Sequence, residues 1–387
     1  MRSTFLPFGA PCLGEEEIAE VVDTLRSGWI GTGPKTHRFE RAFAQLVGAR
    51  YAVAVNSCSS ALHLSLIVAG IGPGDEIITT PLTFAATANA IEHVGARPVF
   101  VDIDRRTLNI DPQRIADALT PRTRAIVPVH FGGLPCPMDE IGRLAAEHRL
   151  IVIEDAAHAL GARYRGRMIG SLSAFTCFSF YANKNVTTAE GGMVTTSDPT
   201  IDERLRRLRL HGLRHDAWQR FQTRRFMPSD VIEPGFKYNM PDLAAALGLA
   251  QLPKLESFLD AREKIARRYD EAFADLPVRT QPRPSDGDRH ALHLYVLILE
   301  PGRFRVHRNA IIEALRAENI GAALHYRALH THPYYREKYH HRPEDFPEAL
   351  QVGEHILSLP LTPAMNDQDV DDVIRAVHKV LRAYLIE

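Results

Sequence analysis

The chain of 387 residues carries 46 Lys+Arg against 47 Asp+Glu, a formal net charge of −1. That balance supplies no global field for nucleic acid or an anionic membrane surface, and no run of about 18 apolar residues predicts a membrane span. Hydrophobic content of 45% and charged content of 24% are globular values, and the length suits two domains better than one small core.

The cysteines, Cys12, Cys58, Cys136 and Cys177, are scattered with no CxxC pair. This argues against a zinc or disulfide framework and for a reduced, cytoplasmic setting. Met1-Arg2-Ser3-Thr4 lacks the apolar start of a secretory signal.

Ile18, Val21, Val22 and Leu25 predict a helix over Glu15–Leu25 that stops at Ser27-Gly28. The loop Trp29-Ile30-Gly31-Thr32-Gly33-Pro34 follows, rich enough in glycine either to approach a ligand or simply to turn. Helix Thr36–Leu46 leads to strand Tyr51–Val55, and Asn56-Ser57-Cys58-Ser59-Ser60 then feeds the apolar helix Ala61–Ala69. Small hydroxyl residues at a helix N-terminus suit ordinary capping, and equally suit a phosphate, because free N–H groups and the positive end of the dipole point there.

Strands at Glu76–Thr80, Arg97–Val101, Ala125–Val129 and Leu150–Ile153 alternate with helices at Thr83–Glu92, Asp111–Leu119 and Met138–His148. Alternation of short, solidly apolar strands with helices predicts an α/β fold with a mostly parallel central sheet covered on both faces. Ligands bind such sheets beyond the carboxyl ends of the strands. Neither GxGxxG after a strand nor a Walker A sequence occurs, so nucleotide-binding readings of an α/β chain weaken.

The stretch Leu150–Met193 concentrates the chemistry. One strand ends in Glu154-Asp155, followed by His158. After a Gly-punctuated hairpin a second strand ends at Phe180-Tyr181, with Lys184 in the polar turn beyond and Glu190-Gly191-Gly192 leading into strand Met193–Thr196. Downstream, Arg204–Arg225 holds eight arginines, either a solvated helix face or contacts to a diphosphate through Arg214 or its neighbours. The polar-aromatic turn Gly235–Asp242 precedes helix Leu243–Leu252. Pro253 and the charged helix Lys254–Ala272 bridge to a smaller C-terminal α+β domain, with strands at His293–Leu299 and Ala322–Tyr326 and helices at Arg308–Glu318 and Asp369–Tyr384. The expected domains are residues 1–252 and 253–387. His325, His330 and His332 lack a metal-ligand spacing, and no metal is expected.

Pyridoxal phosphate needs an amine for a Schiff base, a carboxylate on the pyridine nitrogen, a phosphate cradle and flat contacts to the ring. Lys184 can be the amine, Asp155 the carboxylate, and Ser57, Ser59 and the amides of Cys58 and Ser59 the cradle, helped by Ser179. Phe84 and His158 are candidates for ring contact. Each match is weak alone; together, in this chain order on one sheet edge, they are specific.

The chain resembles the DegT/DnrJ/EryC1/StrS aminotransferases nearly end to end. WIGTGP at Trp29–Pro34, NSCSSALHL at Asn56–Leu64, GIGPGDEIITTPLTFAAT at Gly70–Thr87, EDAAHALGA at Glu154–Ala162, SFYANKNVTTAEGG at Ser179–Gly192 and KYNMPD at Lys237–Asp242 carry the likeness. Two positions depart from it: Cys58-Ser59 stands where Gly-Thr is usual, and Tyr181 where many relatives have His.

The resemblance implies a fold-type-I enzyme using pyridoxal 5'-phosphate, with pyridoxamine 5'-phosphate as intermediate. It also implies ping-pong transfer from L-glutamate, released as 2-oxoglutarate, to a nucleotide-linked keto sugar. Lys184, Asp155 and His158 would be catalytic, and Asn239 would reach the cofactor phosphate of a second subunit in a homodimer with shared sites. Trp29, Gly31, Thr32, Tyr181, Glu190, Arg214, His325 and Tyr326 would meet substrate. Retention of Lys184, which some relatives replace with histidine to become sugar dehydratases, favours transamination. The segment HYRALHTHPYYREKY at His325–Tyr339 resembles the branch that aminates C4 of UDP-4-keto pyranoses, as in the UDP-4-amino-4-deoxy-L-arabinose enzyme. A cyclitol or other non-nucleotide ketone is the alternative acceptor, and a non-catalytic regulatory homologue the alternative role.

Overall fold

The computed structural model describes residues 2–222, 228–284 and 287–386. Strands β1 (Tyr51–Val55), β2 (Glu76–Thr79), β3 (Arg97–Phe100), β4 (Thr123–Val127) and β5 (Ile151–Asp155) precede a small hairpin of β6 (Arg163–Tyr164) and β7 (Arg167–Met168). Then come β8 (Phe175–Ser179) and β9 (Gly192–Thr196). Seven of these form one sheet in the order β1-β9-β8-β5-β4-β2-β3. The β2–β3, β2–β4, β4–β5 and β5–β8 pairs are parallel, whereas β9 runs antiparallel to both of its neighbours. The expected mostly parallel sheet is what forms.

Strand alternation divides this sheet into two cores. Ala52, Ala54, Ile78, Ile126, Val152 and Phe178 enter one cluster, with Phe39 and Phe43 from a helix. Val53, Val55, Ile77, Ala125, Val127 and Ile153 enter the other. Both faces are buried, which is why these strands read as unbroken apolar runs.

Helices α1 (Glu15–Ser27), α2 (Pro34–Val47), α3 (Cys58–Val68), α4 (Ala85–His93), α5 (Pro112–Asp117), α6 (Met138–His148), α7 (Pro199–Leu208), α8 (Ala217–Gln222) and α9 (Asp242–Gln251) accompany the sheet. The helix α10 (Leu255–Ala272) leads to a three-stranded antiparallel sheet of β10 (Val278–Arg279), β11 (Tyr295–Leu299) and β12 (Ile356–Leu359). Helices α11 (Arg308–Ala317), α12 (Pro333–Tyr339), α13 (Pro347–His355) and α14 (Asp367–Tyr384) complete the described chain.

One face of the small sheet, with Tyr295, Leu297 and Leu299, packs in a cluster with Ile265, Ile311 and Val373. The other face, with Val296 and Ile298, meets Leu82, Leu108 and Phe131 from loops of the large sheet. That second contact brings the start of β11 against the loops that carry the chemistry. The N-terminal segment also joins this region, through Leu6 paired with Ile320.

The strand expected at Ala322–Tyr326 does not form. A single pair, Ala323 with Ser358, is made there. The ladder stops because Tyr326 turns into the cavity to reach His158. The strands that pair with β11 are β10 and β12, the latter a short ILSL run that follows α13.

Candidate active site

The carboxyl end of β5 carries two acids whose side chains part company because successive strand residues face opposite ways. Glu154 is fully buried and accepts from His130 Nε2 at 2.9 Å and Thr176 Oγ1 at 2.9 Å. His130 Nδ1 accepts the Cys136 N–H at 3.0 Å, which leaves Nε2 as the nitrogen that donates to Glu154. Asp155 faces the other way, into a cavity of about 530 Å³. It accepts from Thr87 Oγ1 at 2.8 Å and from the Ala157 N–H at 3.1 Å. Burial pushes its carboxyl up from the usual range, and those two donors together with Lys184 oppose the push.

Lys184 reaches the same cavity from the loop between β8 and β9. That loop is pinned at its base by Ser179 paired with Gly192 and by the Phe180 N–H donating to Gly191 O. Burial lowers the Lys184 amine to about 8, against the pull of Asp155. The nearby Cys58 thiol is itself pushed well up by burial, so it stays neutral and Asp155 is the anion that matters to this lysine. Nζ lies 3.2 Å from His293 Nε2.

The third wall is the N-terminus of α3. Ser57 caps it, its Oγ accepting the Ser60 N–H at 3.1 Å. The first N–H groups of a helix have no partner within it, so those of Cys58 and Ser59 are available to a ligand. A Cβ on Gly192 would stand 2.5 Å from the Ser57 carbonyl, so only glycine lets β9 lie this close under the turn. Ser57, Cys58, Ser59 and Ser179 all line the cavity.

His158 is buried, with Nδ1 accepting the Gly132 N–H at 3.3 Å and Nε2 3.2 Å from the Tyr326 hydroxyl. Burial and the neighbouring Lys184 hold it well below the usual histidine range. His325 bonds Ser358 Oγ through Nδ1 at 3.0 Å and is lowered to about 4 by burial. Phe84 is exposed over the opening, its ring 5.9 Å from that of Tyr326. Tyr181 and Glu190 complete the rim.

Three polar lining residues escaped the sequence reading: His293, Thr87 and Asn183. Thr87 lay inside a recognised segment, and Asn183 is the immediate neighbour of Lys184. For His293 the signal was only a histidine opening an apolar strand far along the chain.

Other expected site residues lie outside this cavity. Asn239 Nδ2 donates to Thr32 Oγ1 at 2.6 Å, and Thr32 Oγ1 donates to Met240 O at 2.6 Å. Asp242 accepts the Gly33, Lys35 and Thr36 N–H groups and donates its own N–H to Gly31 O. The glycine loop and the KYNMPD turn are therefore one clamped unit. Trp29 packs on Trp218 with ring centroids 4.9 Å apart.

Arg214 lines a separate cavity of about 350 Å³ with Thr32 and Arg207. The neighbouring arginines are engaged in ion pairs: Arg204 and Arg207 with Glu233, Arg206 with Glu40 and Asp202, and buried Arg209 with Glu40. Arg224 and Arg225 lie outside the described residues. All four cysteines are free thiols. Among the described residues no helix is long and apolar enough to cross a membrane.

The profile of the DegT/DnrJ/EryC1/StrS aminotransferase family matches residues 11–378. The chain belongs to this family. The spore coat polysaccharide biosynthesis protein SpsC of Bacillus subtilis is 51% identical over 382 residues, covering 98% of each chain. Spr1654 of Streptococcus pneumoniae, solved in PMP and PLP forms, superposes with a TM-score of 0.92 for the PMP form. It has 35% identity, over 98% of this chain and 99% of that one. Helicobacter pylori PseC, an aminotransferase involved in the biosynthesis of pseudoaminic acid, gives a TM-score of 0.91 and 30% identity over 99% and 100% of the two chains.

The enzyme is thus a transaminase of a pyridoxal-phosphate-dependent family. Its cavity fits that cofactor. A depressed lysine amine, a buried carboxylate and a helix N-terminus furnished with hydroxyls line one space. Gly192 lets β9 lie directly under the Ser57–Ser60 turn.

Proposed function

We propose that this enzyme moves the amino group of L-glutamate to the keto carbon of a nucleotide-linked sugar, at C4 of a UDP-4-keto pyranose. The observation that carries the transfer chemistry is the shared cavity of Lys184, Asp155 and the α3 N-terminus, with the Lys184 amine lowered to about 8. Support for a sugar acceptor comes from the relatives: SpsC is a polysaccharide biosynthesis protein, and PseC an aminotransferase of pseudoaminic acid biosynthesis. The C-terminal segment with His325 and Tyr326, both lining the cavity, favours the C4 branch.

When bound, pyridoxal phosphate supplies a carbonyl carbon that takes up the amino group and a ring that withdraws the resulting electron pair. Asp155, whose charged form the Thr87 hydroxyl and the Ala157 N–H favour against burial, would hold the proton on the ring nitrogen. Ser57, Ser59 and Ser179, with the amides of Cys58 and Ser59, hold the phosphate. His158 and Phe84 flank the ring. Lys184 would be the amine that holds the cofactor's carbonyl carbon and, when free, the base that moves a proton at the substrate carbon. Its amine near 8 suits that exchange at neutral pH.

Asn239, Trp29, Gly31, Thr32 and Arg214 lie away from their own chain's cavity. We assign them to the neighbouring site of a homodimer, where the clamped unit of the glycine loop and KYNMPD turn would carry Asn239 to the partner's phosphate. We likewise take residues 1–252 and 253–387 as the large and small domains, and a cytoplasmic setting with free thiols.

The decisive experiment incubates purified enzyme with glutamate and a panel of UDP-, dTDP- and GDP-linked keto sugars, with products read by mass spectrometry. Gain of an amine on a UDP-4-keto pyranose is expected. Amination of a cyclitol ketone with no change in any nucleotide sugar would refute the acceptor assignment.

A further inference from the structure

His293 is buried, and its Nε2 stands 3.2 Å from Lys184 Nζ. Its ring lies 4.5 Å from that of His158 at a 39° tilt, so it packs closely against the residue assigned to flank the cofactor space. Its Nδ1 is buried without a hydrogen-bond partner. A histidine kept only for packing would leave such an atom capped or replaced by carbon, because a buried unpaired polar atom is destabilising.

The backbone here is held by an unusual device. Arg262 of α10 is buried, with no carboxylate among its hydrogen-bond partners. It donates through Nη1 to the carbonyls of Leu361 at 2.7 Å, Leu292 at 3.1 Å and His293 at 3.5 Å. A buried guanidinium is expensive and is retained where its geometry matters. It ties α10 and the chain after β12 to the peptide that carries the imidazole.

From this geometry we propose that His293 is a positioning residue for Lys184. It holds Nζ at the cavity wall whenever that amine is not bound to cofactor, and Arg262 fixes the imidazole in place. The inference rests on the transaminase reading. The groups facing His293 are Lys184, His158, Arg262 and His325; those facing Lys184 are Asp155, Cys58 and His293. Burial first, and then the cations on two sides, hold the imidazole well below the usual histidine range, so it accepts from the ammonium. That contact opposes deprotonation of Lys184 and aims its lone pair once the proton is gone.

The test uses His293→Phe, which deletes the acceptor at similar volume, and His293→Gln, which keeps one. In cofactor-free protein, competitive labelling of Lys184 with acetic anhydride, read by peptide mass spectrometry, gives the amine's midpoint. A hydrogen bond to a charged group shifts such an equilibrium about tenfold, so His293→Phe should label about fivefold faster at pH 7. The Gln variant should stay close to wild type. In the cofactor-loaded enzyme, His293→Phe should lower kcat about tenfold with both KM values within about twofold, and Gln should restore most of the loss.

Unchanged midpoint and unchanged kcat in His293→Phe would overturn the proposal, as would equal loss in both variants. If the Phe variant does not fold, 15N NMR of histidine rings in the cofactor-free wild type decides. A resonance moving with the Lys184 midpoint near pH 8, and absent in His293→Gln, supports the contact; no such resonance overturns it. Failure of wild-type protein to gain a visible absorption band with pyridoxal phosphate would instead sink the transaminase reading itself.

Discussion

The lysine is the point at which the structure makes its sharpest quantitative claim. An ordinary lysine at 10.5 offers about one neutral amine in three thousand at pH 7; at about 8 the fraction is about a tenth, a gain near 300-fold. Burial causes the drop and Asp155 resists it. Replacing that carboxylate in Asp155→Asn removes the anion that favours the ammonium, so the midpoint should fall further below 8. Competitive acetylation of cofactor-free protein between pH 6 and 11, with an exposed lysine such as Lys264 as internal standard, measures both values without any contribution from cofactor titration. A wild-type midpoint at 10 or above would refute the claim that the cavity depresses the amine. A midpoint that rises in Asp155→Asn would refute the assignment of Asp155 as the opposing charge.

Thr87→Val removes one of the two donors that favour the charged form of Asp155, so its carboxyl should rise further and binding of pyridoxal phosphate, followed by its visible band, should weaken about tenfold. Gly192→Ala drives a methyl into the Ser57 carbonyl, and a chain that still folds should lose cofactor affinity by an order of magnitude or more, seen by equilibrium dialysis. His37 sits between Asp216 and Glu40 and is raised to about 9. A raised histidine stabilises fully below about 6.5 and loses that stabilisation as pH climbs through 9, by up to about 3 kcal/mol. Wild type and His37→Gln should therefore differ in melting temperature at pH 6 and converge by pH 10.

The large sheet was legible because each of its strands is a short apolar run buried on both faces, and the runs alternate with helices. Lys184 and Asp155 were legible for a different reason: they end neighbouring strands within a single stretch, so local order already approximates spatial order. His293 lay beyond reach. It is 109 residues from Lys184 along the chain, and its meeting with Nζ depends on how the face of β11 bearing Val296 and Ile298 settles on loops of the large sheet. The segment Ala322–Tyr326 looked like a strand from its composition. No local pattern records that Tyr326 is drawn toward His158 or that ILSL would take the place beside β11. Nor does any local pattern record the ion-pair partners of the arginine-rich segment, Glu40 and Glu233.

The chain leaves the large sheet at Ser179 and re-enters it at Gly192, and those two residues are paired with each other. Residues 180–191 thus form a closed excursion whose ends cannot drift apart. Tyr181, Asn183 and Glu190 line the cavity from within it. A graft that keeps Lys184 and the Ser179–Gly192 pair could exchange these rim side chains as a cassette, shifting no strand's register and leaving Asp155 and Ser57 where they are. Acceptor preference could then diversify in this short span while the transfer chemistry, built on Lys184 and the flanking strands, is inherited unchanged.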